Sequence, residues 1–165
     1  MLKDLLINEG AVKKGHFVLT SGKESEYYAD IKDACAQPEI LREIVAEVSG
    51  KIKADSVAGV ELGAVPIVVA VAYSKSIPYY IIRKESKHGM KKLLIGSVRK
   101  DTEVDIIEDV VTTGGSVMRA VELLRKEGMK VNRVIAVIDR EEGGKELLRE
   151  NGVEFISLLK IKDIL

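Results

Sequence analysis

The chain has 165 residues with 26 Lys plus Arg against 26 Asp plus Glu, so no net charge draws it to nucleic acid or a membrane surface. That length predicts one domain, 1–165, around a single well-buried core. The single Cys35 excludes an internal disulfide and suits a reducing cytoplasm, no apolar run approaches membrane-spanning length, and Met1 leads into Leu-Lys-Asp-Leu-Leu, which is not a signal-peptide pattern.

Residues 2–9 predict a short amphipathic helix with Leu2, Leu5 and Leu6 inward, ended by Gly10. Residues 15–31 predict two short strands joined by a Ser-Gly-Lys turn. Because they precede the repeating strand–helix pattern, they read as part of a small hood over the sheet, formed mainly by residues 1–35. Tyr27 and Tyr28 lie in this segment, either as strand aromatics in a core or as rings able to stack on a planar ligand. Pro38 to Ile52 predicts a helix, with Pro38 in its first turn and Ile40, Leu41, Ile44, Val45, Val48 and Ile52 as its apolar stripe. A strand over Ser56–Val60, a loop Glu61-Leu62-Gly63-Ala64 and a helix from Pro66 to Tyr73 make a strand–loop–helix unit. Taken alone, Gly63 is a turn residue there.

Pro78–Ile82 is the next predicted strand, and it runs into Arg83-Lys84-Glu85-Ser86-Lys87-His88-Gly89-Met90-Lys91-Lys92. Five lysines and arginines and one histidine face a single acid there. The segment reads either as a solvated hairpin or as a cationic loop for a multiply charged anion. A strand over Leu93–Val98 then leads, through a Lys100-Asp101 turn, into the most informative stretch of the chain.

That stretch is Val104 to Ser116, VDIIEDVVTTGGS. An apolar strand ends in adjacent acids, Glu108 and Asp109, followed by Thr112-Thr113-Gly114-Gly115-Ser116. A helix follows, with Val117, Ala120, Val121 and Leu124 at helical spacing. Glycines let the backbone approach a ligand closely, and N–H groups at a helix start favour an anion such as phosphate. The acids would repel that phosphate if they faced it, so they make better acceptors for sugar hydroxyls. An ordinary βα turn is the alternative. The stretch lacks both the Walker lysine and the dinucleotide glycine spacing. Beyond it, Val131–Ile138 predicts a strand buried on both faces, ending in Asp139-Arg140-Glu141-Glu142-Gly143-Gly144. A short helix over Lys145–Asn151, a strand over Val153–Leu158 and a terminal turn over Ile161–Leu165 complete the chain.

Glu-Asp-Val-Val-Thr-Thr-Gly-Gly-Ser resembles the phosphoribosyl pyrophosphate (PRPP) motif of the type I phosphoribosyltransferases, and its Val-Val-Thr-Thr-Gly core is most similar to the orotate phosphoribosyltransferases. Thr-Ser-Gly…Tyr-Tyr, the cationic loop and the position of Arg140 match the same family, so the resemblance covers nearly the whole chain. It implies an α/β fold: a doubly wound, mainly parallel sheet (the type I phosphoribosyltransferase fold) with a small N-terminal hood. Ligand loops 61–65, 83–92, 109–116 and 139–144 would gather at the strands' carboxyl edge. The implied reaction joins orotate to PRPP, giving orotidine 5′-monophosphate and pyrophosphate in pyrimidine (UMP) synthesis, with Mg²⁺ as cofactor held mainly by PRPP and by no protein side chain directly.

The resemblance also implies roles for residues. Glu108 and Asp109 hold the ribose hydroxyls, and the run Val110, Val111, Thr112, Thr113, Gly114, Gly115 and Ser116 holds the 5′-phosphate. Thr112 also reaches the orotate. Arg83, Lys84, Lys87 and His88 are the loop cations at the pyrophosphate, and Lys84, Lys87, His88 and Asp109 form the catalytic set. Arg140 grips the orotate carboxylate, the alternative being a surface arginine paired with Glu141 or Glu142, while Tyr27 and Tyr28 cover the base. Thr20 and Gly63 stand where some members carry lysine. Family dimers share sites, so a homodimer is implied, with Lys84 reaching the neighbour's PRPP. Two other readings stay open: a phosphoribosyltransferase for a different purine or pyrimidine base, and a non-catalytic regulator binding PRPP or a nucleotide.

Overall fold

The computed structural model describes residues 1–19, 22–84 and 92–165. The hood comes first: helix α1 (Leu2–Asn8), an antiparallel hairpin of β1 (Val12–Val18) and β2 (Glu24–Ala29), and a one-turn helix α2 (Ile31–Ala34). The sequence reading missed α2. Its signal is Asp30, whose carboxylate accepts the Asp33 N–H at 3.2 Å as an N-cap.

After α3 (Pro38–Ser49) the chain alternates β3 (Ser56–Val60), α4 (Val65–Lys75), β4 (Tyr79–Ile82), β5 (Leu94–Ile95), β6 (Glu103–Val111), α5 (Gly115–Lys126), β7 (Lys130–Asp139), α6 (Gly144–Glu150) and β8 (Glu154–Lys160). The strands form one sheet in the order β5-β4-β3-β6-β7-β8, parallel except for β5. Successive side chains along a strand point to opposite faces. Val57, Ile107 and Ile135 pack with α3 and α4 on one face, while Ala58, Ile106 and Ala136 pack with α5 on the other. The sheet is therefore doubly wound. Leu2, Leu6, Ile31 and Ala34 of the hood join the α3–α4 side of the core.

One strand is shorter than its sequence predicts. Leu93–Val98 pairs only through Leu94 and Ile95, antiparallel to Ile82 and Ile81. Gly96 turns away at φ +114, where a Cβ would lie 2.7 Å from the Tyr80 ring. Packing against Tyr80 ends the strand. Among the described residues no helix is long and apolar enough to cross a membrane.

Candidate active site

Loops after β3, β6 and β7 meet at the carboxyl edge of the sheet. The β6–α5 and β7–α6 loops are laced together by backbone: Arg140 N–H donates to Val111 O at 2.9 Å, and Gly144 N–H donates to Thr112 O at 3.1 Å. Gly114, at φ +85, begins α5 in a conformation that favours glycine, and a Cβ there would lie 3.0 Å from Gly144 Cα. Close backbone approach thus holds Arg140 beside the 112–116 loop.

Two adjoining lobes flank the acid pair. The first, about 380 Å³, is lined by residues 110–117 with Lys84, Glu108 and Arg119. The second, about 300 Å³, is lined by Tyr28, Lys32, Glu61, Leu62, Gly63, Lys84, Glu108, Asp109 and Arg140, among others. Of the residues singled out in the sequence, Lys84, Glu108, Asp109, the 110–116 run, Tyr28 and Arg140 are brought together here. Within that run the Val111 side chain is buried in the core on the α5 side, leaving its backbone to face the loop. Arg83 borders a neighbouring groove with Ser116, Arg119 and Lys126. Thr20, Lys87 and His88 lie outside the described residues.

Two buried polar atoms at this edge have no hydrogen-bond partner among the described residues, Glu108 Oε1 and Arg140 Nε. Burial, reinforced by Asp109 next to it, pushes the Glu108 carboxyl well above the ordinary glutamate range. Burial also raises Asp109, opposed by backbone N–H groups, Lys32 and Lys84. Lys84 N–H donates to Glu61 Oε1 at 2.6 Å, which anchors the start of the cationic segment to the β3–α4 loop.

Arg140 is only 6% exposed. It is thus a buried arginine, although it does pair with Glu142 at 3.0 Å, and it also donates to Ser25 Oγ at 3.0 Å. Glu141 turns the other way, to Lys160 and Lys162. The Arg140 guanidinium lies 4.4 Å from the Tyr27 ring centroid. Neighbours on a strand face opposite ways, so Tyr28 instead meets Phe17 and Lys32. The tyrosines therefore stand on different sides: Tyr27 in a larger cleft of about 740 Å³ with Arg140 and Glu142, Tyr28 in the lobe that holds Asp109.

Sequence reasoning missed Lys32, and although it placed Glu61 and Gly63 in a ligand loop, it gave Gly63 on its own only the part of a turn residue. A Cβ at Gly63 would collide with the Asp109 carboxylate and lie 2.9 Å from Lys32 Cγ. The residue is needed for close approach, and only the folded chain reveals that.

The chain matches the model of the phosphoribosyl transferase domain over residues 27–151. It is 52% identical to an orotate phosphoribosyltransferase of Thermoplasma acidophilum, covering 99% of this chain and 95% of that one. It is 53% identical to an orotate phosphoribosyltransferase of Picrophilus torridus, covering 99% of both. Among solved structures, orotate phosphoribosyltransferase from Aeropyrum pernix superposes with a TM-score of 0.88 at 34% identity, covering 100% of this chain and 96% of that one.

Proposed function

This chain belongs to the orotate phosphoribosyltransferases, and we propose that the paired lobes at its sheet edge carry out the transfer: orotate and PRPP react to give orotidine 5′-monophosphate and pyrophosphate, a step of pyrimidine synthesis. The observation that carries the assignment to this site is the pair of buried, unpartnered atoms. Glu108 offers an acceptor where ribose hydroxyls would donate, and Arg140 offers a donor where the orotate carboxylate would accept.

Glu108 and Asp109 hold the ribose, and the amides and hydroxyls of 112–116 hold the 5′-phosphate at the start of α5. Arg140 meets the base carboxylate in the forked geometry that suits guanidinium. Tyr27 stacks from the far side of Arg140, while Tyr28 closes the Asp109 side. As pyrophosphate leaves the anomeric carbon with the electrons of its C–O bond, orotate N1 forms the new bond there and its proton passes to the departing pyrophosphate or solvent. Lys84 and Arg83, with Lys87 and His88 of the same segment, neutralise charge growing on the leaving group. The paired acids Glu108 and Asp109 would put negative charge beside a Mg²⁺ ion that PRPP itself holds, with no protein side chain needed as a direct ligand. When bound, it would add to the neutralisation of the pyrophosphate.

Residues 1–165 act in this reading as one phosphoribosyltransferase unit, since the hood (mainly 1–35) shares its core with α3 and α4. A cytoplasmic location is in keeping with the lone Cys35, buried, with its thiol pushed up to about 11 by burial. A homodimer is part of the same reading. Exposed Leu62, Val69 and Tyr73 make an apolar face next to the site. Lys84 lines its own chain's lobes, so mixing the inactive variants Lys84→Ala and Asp109→Asn asks where it acts: returning activity places it across the interface, and silence with proven subunit exchange places it within its own chain.

The direct test supplies purified protein with PRPP, Mg²⁺ and each nucleobase or orotate in turn. Orotidine 5′-monophosphate is expected from orotate alone. Turnover of another base in preference to orotate, or PRPP binding without turnover, would overturn the assignment.

A further inference from the structure

Resting on the reading of the site given above, we propose that Lys32 of the hood is a pyrophosphate-binding residue, delivering across Gly63 the cation that the β3–α4 loop itself lacks. The loop Glu61-Leu62-Gly63-Ala64 contains no positive side chain. A side chain on its third residue would have to displace the Asp109 carboxylate and the Lys32 stem, which fill the space beside Gly63. The hood supplies through that gap what the loop cannot.

The local geometry leaves Lys32 ready for an anion. Its ammonium has three donors. Among the described residues it makes one hydrogen bond, to Tyr28 Oη at 3.2 Å, while Asp30 Oδ1 stands off at 3.7 Å and the other oxygen of that carboxylate faces Lys13. Its side chain is 41% exposed and lines the lobe. The other cations lining that lobe already have roles in this reading: Arg140, bonded to Glu142 and Ser25, faces the base carboxylate, and Lys84 borders both lobes.

Placement of the sugar points the same way. A ribose resting on Glu108 and Asp109 with its 5′-phosphate in the 112–116 lobe directs its anomeric substituent toward the lobe that Lys32 borders. The leaving group then lies beside the Glu61–Ala64 loop with one lysine reaching over it. A structural role for Lys32, holding Asp109 in place through its stem, is the competing account.

Lys32→Met separates the two, since it keeps an unbranched stem across Gly63 and removes only the charge. Losing a charge-assisted hydrogen bond should raise the Michaelis constants for PRPP, and for pyrophosphate in the reverse reaction, by about tenfold or more. Those for orotate and orotidine 5′-monophosphate should stay unchanged, Lys32→Arg should restore most of the loss, and thermal melting should hold. Unchanged pyrophosphate affinity in Lys32→Met would overturn the proposal. So would an equal loss for every substrate with a lowered melting temperature, which assigns Lys32 to structure. Absence of orotate-dependent turnover in the unmodified protein would instead defeat the reading of the site on which this rests.

Discussion

Asp105 and Glu108 lie on the same strand, both buried, at 2% and 7% exposure, yet their surroundings are opposite. Near the amino end of β6, Asp105 accepts the N–H groups of Lys53 and Ala54 at 2.9 and 3.1 Å and pairs with Arg133 at 3.3 Å. Arg133 in turn reaches Glu154 at 3.0 Å. At the carboxyl end, Glu108 has an oxygen with no partner among the described residues and sits beside a second acid. A buried carboxylate with its bonds made ties loops to the sheet. One left short stores unfavourable free energy that a ligand can release. The edge where open α/β sheets bind ligands is the edge where this chain leaves its polar groups unmet.

Substitutions at the two ends should therefore fail differently. Asp105→Ala leaves Arg133 with Glu154 alone, at its more exposed end, and takes the acceptor from two backbone N–H groups, so unfolding free energy should drop by about 3 kcal/mol, with the activity of the folded fraction retained. Denaturant titration alongside kinetics checks this, and a stable but inactive variant would erase the contrast. Asp109→Asn should do the reverse: kcat/KM down by about 100-fold or more, and melting within a few degrees of the unmodified protein. Near-normal turnover would end the ribose-binding role. Arg140→Ala removes one charged, buried donor set, so the Michaelis constant for orotate should rise roughly tenfold or more while that for PRPP moves little. Equal changes for both substrates would separate Arg140 from the base.

The smallest effect is on stability against pH. Burial holds the Glu108 carboxyl above its ordinary value of 4.5, so the folded protein keeps a proton that the unfolded chain releases. Its stabilising contribution is complete below that ordinary value and is lost as pH rises through the folded one. In the ligand-free protein this contribution should fall upward from about pH 4.5, so Glu108→Gln should make stability decline less with pH than in the unmodified protein and should melt higher at pH 8. Melts at pH 5 and pH 8 give the comparison, and an unaltered slope in Glu108→Gln would contradict the account of its burial.

Much of this was legible before folding because it depends on neighbours in the chain. The apolar runs of β6 and β7, the stripe of α3, and the acids, hydroxyls and glycines from Glu108 to Ser116 are local patterns, and each element formed close to its expected place. Local pattern also carried the doubly wound sheet, since strands alternating with helices leave few other arrangements. What remained hidden depends on residues far apart in sequence. Arg140 meets Ser25 across 115 positions, and Asp105 meets Lys53 across 52. Gly63 is a turn residue until Asp109 and Lys32 close on it, and Tyr27 and Tyr28 are one motif until the strand sends them to opposite sides. Residue type shows that a group can bind, accept or stack, but which groups are left without partners is decided only when the sheet edge assembles, because satisfaction of a buried polar atom is a property of everything packed around it.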